Sequence, residues 1–198
     1  MNKPTDEQLL ADHLEGQKYS FEILVQRYNR ELYQFLARFT GNASTAEDIV
    51  QEAFLQVHLA AGSFDRTRRF KPWLFTIAAN KARDYLRSRS RRPEVPLQAS
   101  VGFGEDEGLE FLDYLADGSI LPPEALEKKQ EREFVRSIVD GMPENLKEIL
   151  VLSYYHRFAY KEIAEIVGIP LGTVKSRLHT AVSYFGRAYT SAVKERVG

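Results

Sequence analysis

Thr173, Lys175, Ser176, Arg177, His179 and Thr180 lie within eight positions near the C-terminus, and each carries a donor or acceptor suited to a phosphate or a base edge. A second group, Asn80, Arg83, Arg87 and Arg91, recurs at i, i+3, i+7 and i+11. On a helix this spacing puts one amide and three guanidiniums on a single face. Just ahead of it come Phe64, Arg66, Arg68, Arg69 and Lys71, a loop that mixes cations with an aromatic. Cations that track phosphates, beside π-faces on which unpaired bases stack, are the means of gripping single-stranded nucleic acid. The chemistry on offer is binding, not bond-making. No Ser/His/Asp set, phosphate-binding glycine loop or metal-ligand spacing occurs. His13, His58, His156 and His179 are scattered along the chain, so neither a metal nor a cofactor is expected.

The C-terminal group is presented by a pattern of its own. Tyr160 to Val167 reads as a short helix, Gly168 supplies a turn free to take positive φ, and a second helix starts at Leu171. Ile163, Ala164, Val167, Ile169 and Val174 are apolar where two crossed helices touch, which leaves the polar, basic side outward. That is a helix-turn-helix suited to a major groove.

Elsewhere apolar residues recur at helical spacing and period-2 alternation is missing, so the 198-residue chain is predicted to be all-α. Thr5 and Gln8 suit a capping box, Ser20 a second helix cap, and Ser44 with Glu47 another box. The second helix carries the stripe Phe21, Leu24, Val25, Tyr28, Leu32, Phe35, Leu36 and Phe39 and ends at Gly41. The third carries Ile49, Val50, Ala53, Phe54 and Val57 and closes at Gly62, and a fourth runs from about Pro72 to Ser90. Prolines, glycines and carboxylates then fill residues 93–123, a predicted flexible acidic linker. Helices resume at 123–140, 143–155, 160–167 and 171–192. Two small helical bundles result, over residues 1–92 and 124–198.

Charge follows the same division. Residues 1–63 carry a net −4, 64–92 a net +8, 93–127 a net −9 and 128–198 a net +4, so a total of −1 conceals strong segregation. Cysteine is absent, which excludes disulfides and thiolate sites and fits a reducing compartment. No signal peptide or membrane-length apolar run occurs, and a cytoplasmic protein without membrane insertion is expected.

The run from Glu47 to Phe54, then Phe64-Asp65, then Pro72 through Arg87 resembles the sigma-2 domain of bacterial extracytoplasmic-function sigma factors. Met142-Pro143, Leu152 and Tyr160 through Arg177 resemble their sigma-4 domain, in the same order along nearly the whole chain. The resemblance implies an alternative sigma factor that binds core RNA polymerase, directs it to promoters and helps melt DNA, and that is not itself an enzyme. It implies that Asp48, Gln51, Glu52, Phe54 and Leu55 dock core polymerase. It places Phe64, Arg66, Arg68, Arg69, Lys71, Trp73, Asn80, Arg83 and Arg87 on the minus-ten element, where a base is flipped from the melted strand. Tyr160, Lys161, Gly172, Thr173, Lys175, Ser176, Arg177, His179 and Thr180 fall on positions that approach the minus-thirty-five element. This chain differs from the family pattern in Ala159, where a Ser or Thr cap is common, and in His179-Thr180-Ala181-Val182, where Arg is common.

The nine carboxylates of 93–127, with no Lys or Arg among them, are the composition that a basic polymerase channel would attract. The chain ends about twenty residues after Leu178, so regulation is expected from a separate protein, an anti-sigma factor. Two rivals make different demands. A conventional dimeric helix-turn-helix regulator requires a symmetric operator, and a nucleic-acid enzyme built on the carboxylates around Glu47 requires a divalent metal.

Overall fold

Thr5 opens the first helix through the predicted capping box: its hydroxyl accepts from Gln8 N at 3.2 Å, and Gln8 Oε1 accepts from Thr5 N at 2.9 Å. The computed structural model describes residues 3–91 and 122–197, with side chains over 3–91 and 131–194. The described residues hold eight α-helices and no strand: α1 (Asp6–Leu14), α2 (Lys18–Thr40), α3 (Ala43–Ala60), α4 (Phe70–Arg91), α5 (Pro122–Asp140), α6 (Glu144–Leu150), α7 (Tyr160–Val167) and α8 (Leu171–Val197). The expected acidic linker falls almost wholly outside the described residues.

Two predicted caps are corrected. Ser20 does not start α2. Gly16, at φ +91°, reverses the chain, Gln17 becomes the N-cap, and Ser20 lies inside the helix at 5% exposure. Ser44 likewise sits within α3, because Gly41 at φ +70° leaves Asn42 in the extended conformation that a cap requires. Asn42 Oδ1 then accepts from Thr45 N at 2.9 Å. Helix α4 begins at Phe70 rather than near Pro72, and the proline occupies the first turn, where its missing N–H removes no helix bond.

Two compact units result. In the first, α2 packs on α3 and α1, and α4 packs on α2 and α3. Phe35, Phe39 and Phe75 are fully buried among Leu24, Leu32, Leu36 and Leu74, and each such side chain contributes about 1.5–3 kcal/mol. Ala78, Ala79 and Ala82 have no exposure at all, so the inner face of α4 is small and closely covered. The opposite face of the same helix keeps the polar residues.

In the second unit α6 and α5 pack on α8. The expected 143–155 helix is in fact α6 followed by a π-helical turn, Val151–Tyr155, capped by His156, beyond which Arg157 takes up the left-handed region (φ 51°). Val151 and Leu152 are buried there, and Phe158 N donates back to Leu152 O at 3.2 Å. Tyr184 on α8 donates its hydroxyl to Gly141 O at 3.0 Å, and Lys147 pairs with Asp140 at 3.1 Å.

Candidate nucleic-acid and partner interfaces

Asp48, Gln51, Glu52 and Leu55 follow i, i+3, i+4 and i+7 on α3, and all four are exposed. Leu59 continues the same line at i+11. Leu55 and Leu59 are 59% and 69% exposed, far more than apolar side chains in a closed core. On α2, Tyr19 is 77% exposed. Neither Leu59 nor Tyr19 stood out in the sequence, although the spacing of Leu59 from Leu55 was the available signal. Phe54, placed by resemblance on this face, is 7% exposed and meets Phe21 edge to face at 6.4 Å, so it supports the stripe from beneath. Glu52 is already engaged: Lys81 of α4 pairs with it at 2.9 Å.

The second surface is the loop between α3 and α4 together with the polar side of α4. Bonds within the loop hold its first turn, and Arg68 and Arg69 pair with Glu165 and Glu162 at 3.0 and 2.6 Å. Asp65 Oδ1 accepts from Thr67 Oγ1 at 2.7 Å and from Thr67 N at 2.9 Å, bonds that hold the Asp65 carboxyl below its ordinary range. Arg68 N closes the turn onto Asp65 O at 2.9 Å. Arg66, Arg68 and Arg69 are exposed on it.

An aromatic cluster joins the loop to α4: Phe64 and Trp73 have ring centroids 4.7 Å apart, and the buried Phe70 lies 6.0 Å from Trp73 and 6.3 Å from Phe64. Phe64 and Trp73 are half-buried, so each is both packed and accessible. On α4, Asn80 Oδ1 accepts from Arg83 Nη2 at 2.5 Å, which joins the amide to the guanidinium on one face as the spacing predicts. Arg87 pairs with Asp84 at 2.9 Å. Lys71 departs from the sequence reading: it belongs to α4, pairs with Glu31 of α2 at 2.6 Å and lies over the Phe75 ring at 5.9 Å.

Helix α7, the turn and α8 appear at the expected residues, with Gly168 at φ +73°. Ile163 and Val174 are fully buried and Val167 nearly so, whereas Ala164 and Ile169 keep partial exposure; Ile166, which the sequence reading passed over, is fully buried. Thr173 N and Val174 N donate to Pro170 O at 2.9 and 3.1 Å, which starts α8. Tyr160, Lys161, Gly172, Lys175, Ser176, His179 and Thr180 are exposed, while Thr173 and Arg177 are intermediate. Ser176 and Thr180 donate their hydroxyls to Thr173 O and Ser176 O, at 3.1 and 3.0 Å, so outward they offer mainly lone pairs.

The histidines are less scattered than the sequence implied. His13 and His58 come within 3.0 Å, although no group of three or more metal-binding side chains forms among the described residues. No helix of the described residues is long and apolar enough to cross a membrane.

Two family patterns match the chain: Sigma-70 region 2 over residues 24–92, and Sigma-70, region 4 over residues 132–183. The ECF RNA polymerase sigma factor SigW of Bacillus subtilis (strain 168) is 34% identical over 164 residues, covering 83% of this chain and 86% of SigW. The ECF RNA polymerase sigma-E factor of Escherichia coli (strain K12) is 32% identical over 183 residues, covering 91% of this chain and 93% of that protein. Among solved structures, CnrH in complex with the cytosolic domain of CnrY superposes with a TM-score of 0.66 at 22% identity, covering 94% of this chain and 97% of that one. The sigma factor RpoE of Bartonella quintana, in complex with the anti-sigma factor NepR, gives the same TM-score at 20% identity over 87% of this chain and 98% of that one. At those identities the two structures speak to the fold alone.

Proposed function

This chain belongs to the extracytoplasmic-function family of RNA polymerase sigma factors, and from that membership we propose how its surfaces divide the work. It is an alternative sigma factor that directs RNA polymerase, and its partners are core RNA polymerase, promoter DNA and an anti-sigma factor. The rival reading, a dimeric regulator acting outside the polymerase, finds no support, since region 2 and region 4 patterns match in order on one chain.

In the proposed division, residues 1–92 bind core polymerase and the minus-ten element, 93–123 link, and 124–198 bind the minus-thirty-five element. The observation that carries it is the presence, on one bundle, of two chemically different faces. The α3 stripe of Asp48, Gln51, Leu55 and Leu59 is acidic at one end and apolar at the other. It suits a partner helix that offers arginines beside apolar side chains. The loop and α4 carry Arg66, Arg68, Arg69, Asn80 and Arg83 together with the paired rings of Phe64 and Trp73, a set suited to phosphates and an unstacked base. An extruded base held there offsets the few kcal/mol of unpairing. Binding of this kind makes and breaks no covalent bond, so the chain acts as an initiation factor, not an enzyme, and works where the polymerase works, in the cytoplasm.

The test is direct. Full-length protein is mixed with bacterial core RNA polymerase and assayed for complex formation and for run-off transcription on fragments of its own genome. Transcripts that depend on the added chain, with start sites sharing two elements, are expected. A symmetric duplex footprint by the chain alone, with no complex, would overturn the reading.

A further inference from the structure

We propose that Glu7, on a helix ahead of the region 2 match, is a positioning residue for the loop between α3 and α4: its carboxylate sets where α4 begins and so the course of the loop that carries Arg66, Arg68 and Arg69 between the paired rings of Phe64 and Trp73. The inference rests on reading that loop as part of the single-strand surface.

Helix α1 is fixed at successive positions. Thr5 caps it, Asp6 accepts from Arg27 and from the Tyr28 hydroxyl on α2, and Leu9 and Leu10 are buried. Between these anchors Glu7 Oε1 accepts the first N–H of α4, Phe70 N, at 2.9 Å. That N–H is one of the donors a helix cannot satisfy by itself. The acceptor therefore comes not from the residue preceding α4 but from a helix 63 positions away in sequence. The Phe70 ring is fully buried, 5.7 Å from Tyr28, so the same α1–α2 corner that orients Glu7 also seats the residue it caps. The other end of the loop is closed by Asp65 and Thr67. A loop pinned at both ends loses less freedom when it takes up a base.

Electrostatics and positioning predict opposite signs here. A carboxylate bonded to the N–H that follows Arg69 lowers the attraction of this cationic loop for phosphate, so if charge were its only effect, removing it would strengthen DNA binding. If Glu7 positions the loop, losing the acceptor weakens strand capture. Glu7→Gln removes the charge and keeps an acceptor oxygen, whereas Glu7→Ala removes both.

The experiment uses the full chain with core polymerase on the promoter mapped by its own run-off transcripts. Open-complex yield is followed by permanganate reactivity on duplex and on pre-melted templates, together with core affinity and thermal unfolding. Glu7→Ala is expected to lose roughly fivefold to tenfold in open complex on duplex, to recover on the pre-melted template and to bind core within about twofold of wild type. Glu7→Gln is expected to stay near wild type. A Glu7→Ala variant that opens the duplex as well as wild type, a Glu7→Gln variant that fails equally, or a loss that the pre-melted template does not restore would each overturn the proposal. Asn80→Ala run in parallel separates the two levels: if it loses opening while Glu7→Ala does not, only the role of Glu7 falls, and if neither loses opening, the reading of the surface falls with it.

Discussion

His13 Nε2 and His58 Nδ1 lie 3.0 Å apart and join the last turn of α1 to the last turn of α3, with the Phe21 ring 4.8 Å from one imidazole and 5.7 Å from the other. At that separation one nitrogen carries the proton and the other accepts it, so the contact is made by neutral rings or by a single shared charge.

A pH dependence follows, and its sign is set by His13. Burial, and then the neighbouring His58, hold its pKa below the ordinary 6.5. The folded state therefore resists protonation more than the unfolded chain does. The stabilisation is complete above the unfolded value and is lost as pH falls through the lower folded one. Melting temperature is expected to drop by a few degrees more between about pH 7.5 and about pH 5.5 in wild type than in His13→Gln. Equal drops in the two proteins would show that other groups carry the acid sensitivity.

Leu55→Asp and Leu59→Asp test the partner face with little risk to the core, since both side chains stand largely in solvent. Each is expected to weaken binding to core polymerase at least roughly tenfold, the scale of an interface anchor, with melting temperature nearly unchanged. Asp48→Lys with Glu52→Lys should also weaken core binding first, but the Glu52 change also breaks the pair with Lys81. Titration of labelled protein against core enzyme measures all three.

Asn80→Ala removes an amide whose oxygen is hydrogen-bonded to Arg83. Losing one base contact costs about 1–3 kcal/mol, so initiation is expected to fall by roughly tenfold or more while core affinity stays. Run-off yield set beside core titration decides it; equal loss of core binding by Asn80→Ala and by the Asp48/Glu52 pair would contradict the division of faces.

Gly172 lies in the first turn of α8, and a Cβ built there meets no atom within 4 Å. Gly172→Ala should therefore stabilise the fold by about 0.5–1 kcal/mol. Where backbone must approach a phosphate the same methyl obstructs, so binding of the holoenzyme to duplex upstream of the melted region should weaken. Thermal unfolding and filter binding together distinguish this from a change with no functional cost.

Part of the local geometry of the candidate surfaces was legible in the sequence. The i, i+3, i+7 spacing of Asn80, Arg83 and Arg87 predicted a shared face, and Asn80 and Arg83 do meet there. Gly168 predicted the left-handed turn that it makes. Helical periodicity also separated Phe54, within the α3 stripe, from its neighbour Leu55, outside it, and the first is buried and the second exposed. Such reasoning stops at Lys71, which the sequence put with the loop and which the fold draws to Glu31 of α2.

Local reading suffices for the eight helices of the described residues, their approximate ends and the capping box at Thr5, because each of these depends on neighbours within about four positions, and composition suffices for the segregation of charge. That Glu7 caps Phe70, that His13 meets His58, that Glu52 is engaged by Lys81 and that Lys71 is drawn to Glu31 follows from the packing of the helices and from nothing local. These pairs join residues tens of positions apart. Their individual energies are small, about 1 kcal/mol or less for exposed ion pairs, so they do not organise the chain but are selected by the buried apolar faces that bring the helices together.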